Sequence, residues 1–316
     1  MLKYLGLVPI LLLLLLGCSQ ATSTGKLHKV GLLVPETIND QVWGTKGYKG
    51  LLKIQSEFNV DVFYKEGMDN EQAVRQAVDE FRTKGVNLIF GHGSEYESFF
   101  NSISKDYPDI HFVFFNGETE NPNVTSLNFE SNAMGFFAGM VAGKMTKANH
   151  VGILASFEWQ PEVDGYFEGA YYQNKAVDVN IKFVEHWDDV HKALQLLDEM
   201  IQEGVDVVYV AGDGYNVPAI EKLKAEGLFA IGYISDQSDL GEGAVLTSTV
   251  QHVDKLYELI AKKFNSNELK SGTLYFDFQD DVISLGQFSP LVEESFVKEL
   301  EKSIENYKKT GKLPNQ

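Results

Sequence analysis

The sequence predicts an α/β protein with two doubly wound lobes that face each other across a cleft. Three observations lead to this prediction. Short apolar segments rich in β-branched residues alternate with amphipathic helical segments, this alternation runs twice along the chain, and the apolar segments are nearly continuous. A continuous apolar strand is typical of a parallel sheet with helices on both faces. With 316 residues, the chain is long enough for two lobes of ordinary size.

Nine segments have the composition of β-strands. They cover residues 29–35, 60–65, 86–91, 110–116, 150–156, 179–185, 205–212, 228–235 and 243–250. Helical periodicity lies between them and is clear from Val253 to Phe264, where apolar residues recur every three or four positions. Residues 271–288 predict a β-hairpin around Gln279, and residues 291–309 predict a final helix. The polar segment 145–150 separates the two runs and predicts the first crossing between the lobes.

The N-terminal segment has the features of a secretory signal peptide. Lys3 precedes 12 apolar residues from Leu5 to Leu16, fewer than the ~20 that span a bilayer. The tetrapeptide that ends at Cys18, the only cysteine of the chain, resembles a bacterial lipobox, although Leu16 is larger than the usual residue. An ordinary signal peptide or an uncleaved anchor is the alternative. We interpret residues 1–17 as a lipoprotein signal peptide and residues 18–27 as a flexible tether, which predicts a lipid-anchored protein on the extracellular face of the cell membrane.

The charge balance disfavours nucleic acid as a partner. The chain has 27 basic and 45 acidic residues, a net charge of −18. A surface of this charge repels phosphate groups and anionic lipid headgroups, and the basic residues are scattered rather than clustered. We therefore expect no direct binding to nucleic acid.

The sequence contains no pattern that indicates catalysis. The segment around Ser94 lacks the G-x-S-x-G nucleophile motif. The seven histidines show no spacing typical of metal ligands, and the turn Gly212-Asp213-Gly214 is too short for a dinucleotide-binding motif. These observations predict a protein that is not an enzyme and that needs neither a metal nor a cofactor.

Polar and aromatic residues follow several of the predicted strands. Ligands of open α/β sheets bind at the carboxyl ends of the strands. Amides and carboxylates can bind hydroxyls and base edges, and an aromatic face can stack on a planar ring. Asn39 and Asp40 could equally cap the helix that begins near Gln41, and Trp43 could equally pack in the core. The candidate ligand-binding residues are Asn39, Asp40, Trp43, Asn116, Gly212, Asp236 and Gln251.

Four stretches resemble signature stretches of the basic membrane protein family. They cover residues 30–51, 132–154, 231–237 and 246–254. Members of this family are lipid-anchored substrate-binding proteins of bacterial ABC transporters, and the well-understood ones bind purine nucleosides. The resemblance implies a type I periplasmic-binding-protein fold that closes over its ligand on a three-segment hinge, a membrane permease as partner, and a monomer. With that hinge, the N-terminal lobe comprises residues 28–147 with about 251–270, and the C-terminal lobe comprises 148–250 with about 271–309.

The chain departs from the family pattern at the expected site. The family usually has Ile-Asp-Asp-Lys-Ser-Phe-Asn at residues 38–44, often an acid at Asn116, and a ribose-binding lysine at Gln251. An acid is kept at Asp236, and an aromatic residue at Trp43 or, if the alignment shifts, at Tyr48. Two hypotheses follow. The resemblance implies either that the protein binds a nucleoside-like solute for an ABC transporter, or that it is a regulatory lipoprotein, a role that also occurs in the family, which promotes competence gene expression and has a modified or empty pocket.

Overall fold

The computed structural model describes residues 26–39 and 43–316. Within these residues the predicted architecture of two α/β lobes is confirmed, with one six-stranded sheet in each lobe. The strands of the first sheet are β1 (Lys29–Leu33), β2 (Asp61–Lys65), β3 (Leu88–Gly91), β4 (His111–Phe115), β5 (Val124–Phe129) and β11 (Gly272–Phe276). Those of the second sheet are β6 (His150–Ala155), β7 (Asp178–Phe183), β8 (Val207–Ala211), β9 (Phe229–Gly232), β10 (Val245–Gln251) and β12 (Ile283–Leu285).

Nine α-helices of the described residues cover the two sheets. They are α1 (Trp43–Phe58), α2 (Glu71–Thr83), α3 (Tyr96–Ile103), α4 (Ser131–Met145), α5 (Pro161–Gln173), α6 (Val190–Gln202), α7 (Asn216–Ala225), α8 (Val253–Asn265) and α9 (Glu294–Thr310). No helix among these is both long and apolar enough to cross a bilayer.

The two sheets have the same strand order. The first runs β11-β5-β4-β3-β1-β2, and the second runs β12-β10-β9-β8-β6-β7. All neighbours pair in parallel except β12, which is antiparallel to β10. The central strands β3, β4 and β8 are buried at every residue, as expected for strands with helices on both faces. The parallel arrangement brings the carboxyl ends of both sheets to the cleft.

Two strand predictions need correction. The segment 124–129 was not among the predicted strands, because Thr125, Ser126 and Asn128 interrupt its apolar pattern. In β5 the Thr125 and Ser126 hydroxyls are buried and donate to the carbonyl oxygens of Lys270 (2.8 Å) and Gly117 (2.6 Å). The predicted hairpin over residues 271–288 is also wrong. β11 pairs with β5 in the first sheet and β12 with β10 in the second, so the connection between them crosses from one lobe to the other.

The predicted lobe boundaries shift accordingly. Helix α4 packs against α5 and against β8 and β10, so it belongs to the second lobe and the first crossing lies at Glu130 rather than within residues 145–150. Strand β11 belongs to the first lobe, so the boundary near residue 270 also needs correction. The crossings at Glu130, His252 and residues 277–282 lie side by side. The Glu130 amide donates to the Phe276 carbonyl (2.9 Å), and the His252 amide donates to that of Val282 (2.8 Å).

Glycines bring α4 and α5 into backbone contact in the second lobe. A Cβ atom at Gly139 would lie 2.2 Å from the Tyr166 carbonyl oxygen, and one at Gly169 would lie 1.9 Å from that of Phe136. Any side chain at these positions would separate the helices. Because α5 begins at Pro161, directly after the loop that follows β6, this packing fixes the position of that loop at the cleft.

Candidate ligand-binding cleft

A cavity of about 560 Å³ lies between the lobes at the carboxyl ends of the strands. Pockets for small molecules usually measure ~300–1,000 Å³, so this one can enclose a molecule of nucleoside size. Both lobes contribute to its wall, the first through residues after β1, β3 and β4, and the second through residues after β6, β7, β8 and β9.

All three tryptophans of the chain line this cavity. Trp43, from the first lobe, begins α1, and its ring stacks on His92 with a centroid distance of 4.4 Å and meets the edge of Phe115 at 5.5 Å. The His92 ring is fixed by the Trp43 carbonyl oxygen at Nε2 (2.7 Å) and by the Tyr257 hydroxyl at Nδ1 (2.9 Å). Trp43 therefore packs on the core and also forms part of the cleft wall. The sequence offered core packing and a place in the binding site as alternatives, and the structure is compatible with both.

The other two tryptophans stand on the second lobe. Trp159 follows β6 and is 67% exposed, and Trp187 follows β7 and is 38% exposed. Phe157 stacks on Trp159 at 5.4 Å, and the planes of the two tryptophans meet at 74° with centroids 5.9 Å apart. Two large aromatic faces are thus held nearly at right angles in the cleft while remaining open to solvent.

Buried polar side chains of the second lobe line the same cavity. The Glu162 carboxylate accepts hydrogen bonds from the Tyr233 hydroxyl (2.7 Å) and from the Gln160 amide (2.8 Å). All three side chains are at least 95% buried and line the cavity. Burial raises the pKa of the Glu162 carboxyl, while the hydrogen bonds from Tyr233 and Gln160 act in the opposite direction. The second lobe therefore contributes to the cavity wall a carboxyl group whose ionisation is disfavoured by burial.

Lys46 connects the lobes next to the cleft. Its ammonium, which α1 carries from the first lobe, donates to the carbonyl oxygens of Ile234 (3.1 Å) and Gln251 (3.3 Å) in the second. Burial lowers the pKa of Lys46, although Asp254 and Asp213 oppose this shift. The contact joins the two lobes beside the cavity.

Three of the residues proposed from the sequence lie in the cavity wall. Trp43 is described above. Asn116 follows β4 in a left-handed conformation (φ 59°) that asparagine tolerates better than most residues, and its side chain is exposed. Gln251, the last residue of β10, is 6% exposed. Contact of these three residues with a ligand stays a prediction.

Three other candidates lie elsewhere. The Asp236 carboxylate accepts from the amides of Ser238 (3.1 Å) and Gln287 (3.0 Å) at the turn after β9, so it organises that turn rather than lining the cavity. Gly212 leaves space for the Tyr215 ring, which a Cβ atom would meet at 1.9 Å. Asn39 is exposed and outside the cavity wall.

Two further predictions concern residues outside the described part of the chain. These residues are Asp40, the candidate ligand contact, and Cys18, the candidate lipidation site.

Sequence reasoning missed Trp159, Trp187, Gln160 and Glu162. The first two follow β6 and β7, at the same carboxyl edge that pointed to Trp43 and Asn116. Applying that rule to every predicted strand would have found them. Gln160 and Glu162 carry no such signal, because their burial depends on the close contact between α4 and α5.

Comparison with known proteins agrees with this geometry. The family model for ABC transporter substrate-binding proteins of the PnrA-like type (Bmp) matches residues 27–316. The chain belongs to this family. A Bmp protein is a solute-binding protein of an ABC transporter, which implies a ligand and a membrane permease.

Individual Bmp relatives have two kinds of name. The chain is 54% identical to the transcriptional activator protein med of Bacillus subtilis, over 99% of both chains. The crystal structure of a transcriptional activator of the comK gene from Bacillus halodurans shares 49% identity and a TM-score of 0.86, and the match covers 90% of this chain and 99% of that one. The ABC transporter nucleoside-binding protein BmpA of Lactococcus lactis is 24% identical over 86% of this chain and 87% of that protein.

Proposed function

We propose that the protein is a membrane-anchored solute-binding lipoprotein that closes its two lobes over a planar, nucleoside-like molecule and presents it to an ABC permease. The observation that carries this proposal is the cavity of about 560 Å³ whose wall contains every tryptophan of the chain. Family membership and the relative named as nucleoside-binding support it.

The cleft offers suitable chemistry for such a ligand. Trp43 on one lobe and Trp187 on the other supply faces for a planar ring. The amides of Asn116 and Gln251 can donate to and accept from ring nitrogens or sugar hydroxyls. No step in this account requires bond making or breaking, so we propose binding without catalysis.

Thermal unfolding of the part that begins after Cys18, with a panel of nucleosides, tests the proposal. A ligand at 100 times its Kd adds ~2.7 kcal/mol to the free energy of unfolding, so at least one nucleoside should raise the Tm by several degrees. A Trp187→Leu variant should keep the Tm of the unliganded protein and lose most of this increase. A panel that leaves the Tm unchanged contradicts the proposal.

The lipid anchor is a separate part of the proposal, and it rests on the sequence around Cys18. Cells that express the full chain should incorporate radiolabelled palmitate into it, and Cys18→Ala should abolish the label and release the protein or leave it as an unprocessed precursor. Unchanged labelling of the variant would rule out this anchor.

A regulatory role is the second candidate, and the names of the two relatives above 45% identity favour it. We propose that such regulation of competence genes is indirect and passes through a membrane partner or the supply of ligand. In a strain that lacks the gene, complementation with the Trp187→Leu variant separates the alternatives. A competence reporter that stays low indicates that regulation needs the ligand, whereas full restoration indicates an empty pocket.

A further inference from the structure

We propose that the cleft selects a ligand that carries positive charge, such as a protonated amine, a quaternary ammonium or a cationic ring, over a neutral molecule of the same shape. This inference rests on the proposed function, since it takes the cleft as the binding site, and it names the class of ligand. It depends on two independent properties of the wall, its charges and its aromatic geometry.

Carboxyl groups dominate the ionisable side chains of the wall, which also include two histidines, His92 and His186. Five acids line the cavity: Glu36, Glu95, Glu162, Asp188 and Asp213. Among the described residues that line it, none is a lysine or an arginine. Lys46 approaches from behind the wall and directs its ammonium to two backbone carbonyls. Even with Glu162 neutral, four carboxylates face the ligand, which attract a cation and repel an anion.

The aromatic side chains form a surface suited to the same charge. A cation over the face of an aromatic ring is attracted by the ring quadrupole, and tryptophan gives the strongest attraction. Trp159 and Trp187 meet at 74°, and Phe157 covers one face of Trp159, so a cation in the corner between the indoles would contact the other face of Trp159 and a face of Trp187. Asp188 is the next residue after Trp187 and also lines the cavity, where one of its carboxylate oxygens contacts the His186 ring. Proteins recognise quaternary ammonium groups with aromatic faces grouped around the cation, and a nearby carboxylate adds attraction between opposite charges.

Phosphorylated and carboxylated ligands are disfavoured by the same wall. They would bring negative charge to a cavity of four or five acids, in a chain of net charge −18. A simple nucleoside is neutral, so these acids can accept hydrogen bonds from its hydroxyls and amino group but add no attraction between opposite charges. The charge of the wall therefore favours a cation over a neutral molecule of the same shape, and a neutral molecule over an anion.

Two pairs of probes, matched in shape, test the proposal by calorimetry with the part that begins after Cys18. The first pair is 1-methyladenosine, a cation at neutral pH, and its neutral isomer N6-methyladenosine. The second is choline and its neutral isostere 3,3-dimethylbutanol. We expect the cation of each pair to bind about tenfold more tightly or better, with an affinity that falls as salt increases.

The outcomes separate this inference from the proposed function. Equal binding of the two adenosines leaves nucleoside binding intact and overturns the charge preference. Selective binding of choline, with neither adenosine bound, keeps the charge preference and overturns the nucleoside. If none of the four molecules binds, both proposals fall.

Two variants test the stated cause. Asp188→Asn should weaken 1-methyladenosine several-fold and leave N6-methyladenosine unchanged, because the substitution removes one negative charge from an exposed side chain, keeps its size and leaves a group that can still hydrogen-bond His186. Asp239→Asn, at an exposed acid outside the cavity wall, is the matched control and should change neither affinity. An equal loss for both adenosines in Asp188→Asn would show that Asp188 acts through shape and would contradict the inference.

Discussion

Ile234 stands in the cleft wall close to the place where the sequence predicted an acid. Its φ of 64° lies in the left-handed region, which is unusual for a β-branched residue and costs ~1–3 kcal/mol. The carbonyl oxygen of Ile234 accepts hydrogen bonds from Lys46 Nζ (3.1 Å) and from the backbone N–H of Gln251 (3.0 Å). These two hydrogen bonds stabilise Ile234 in its strained conformation. The apolar side chain of Ile234 therefore lines the cavity, whereas the Asp236 carboxylate accepts hydrogen bonds within the turn that follows.

Glu162 makes stability depend on pH. Because burial raises the pKa of its carboxyl in the folded state, folding favours the protonated form. The contribution of protonated Glu162 to the free energy of unfolding is fully present below the pKa that this carboxyl has in the unfolded chain, near pH ~4. It is lost as the pH rises through the pKa that the carboxyl has in the folded protein. Glu162→Gln should therefore raise the free energy of unfolding at neutral pH and leave it nearly unchanged at pH ~4.

Urea unfolding at several pH values measures this effect. Glu168→Gln, at an exposed glutamate on the same helix, should leave the pH profile of the native protein unchanged. A Glu162→Gln profile parallel to that of the native protein would show that Glu162 is ionised without cost.

Gln251→Lys should restore the ammonium that the family usually has at this position. A charge-assisted hydrogen bond to a ligand hydroxyl contributes ~1.5–3 kcal/mol, so the Kd for a neutral nucleoside should fall about tenfold or more. The Lys46 ammonium lies 3.3 Å from the Gln251 carbonyl oxygen, so the two positive charges should lower the free energy of unfolding. Titration calorimetry and thermal unfolding of Gln251→Lys and of the uncharged Gln251→Met measure the nucleoside affinity and the stability. Equal nucleoside affinity of the two variants would contradict the prediction.

At the scale of the element, the contact between α4 and α5 tolerates no side chain. Gly139→Ala places a methyl group 2.2 Å from the Tyr166 carbonyl oxygen, and such overpacking costs ~1–3 kcal/mol of stability or more. Gly243→Ala is the control, because a Cβ atom there meets nothing within 4 Å. Urea unfolding should show a clear loss for the first variant and almost none for the second. Similar stability of the two would mean that the helices can separate freely.

Lys46 is expected to hold the two lobes at a fixed distance. Lys46→Met leaves the Ile234 and Gln251 carbonyl oxygens without this donor and should lower the free energy of unfolding by ~1–3 kcal/mol. The lobes should also open further, which small-angle X-ray scattering detects as a larger radius of gyration. Lys49→Met, at an exposed lysine on the same helix, should change neither quantity, and a native radius for Lys46→Met would contradict this role.

The sequence predicts elements well where their pattern is local. Continuous apolar segments correctly predicted β3, β4 and β8, because these strands are buried on both faces. The same rule missed β5, whose buried Thr125 and Ser126 are satisfied by hydrogen bonds that no apolar pattern records. It also joined β11 and β12 into a hairpin, because the choice between a near and a distant strand partner depends on the assembled sheets.

At the scale of the whole molecule, the charge of the chain limits what it can bind. With a net charge of −18 and scattered basic residues, the protein cannot release enough counterions to hold duplex DNA. A gel shift with the part that begins after Cys18 should detect no complex at physiological salt. A complex that weakens steeply with salt would contradict this prediction and favour direct regulation.

The cleft was predictable from the sequence in outline only. The rule of carboxyl ends located Trp43, Asn116 and Gln251 because strand ends are a local property. Asp236 lies in the turn after β9 and outside the cavity wall, since one residue more or less after the strand decides whether a side chain faces the cavity or the turn, and its contact with a ligand stays a prediction. Glu162 was invisible for a similar reason, because its burial comes from the packing of two helices.

The position of the tryptophans has a practical consequence. Each of the three indoles lies in the wall of the cleft, and Trp43 belongs to one lobe while Trp159 and Trp187 belong to the other. Excitation at the red edge of the protein's absorption therefore samples this one region. The wavelength and intensity of intrinsic fluorescence should report entry of a ligand and closure of the lobes directly, without any attached dye.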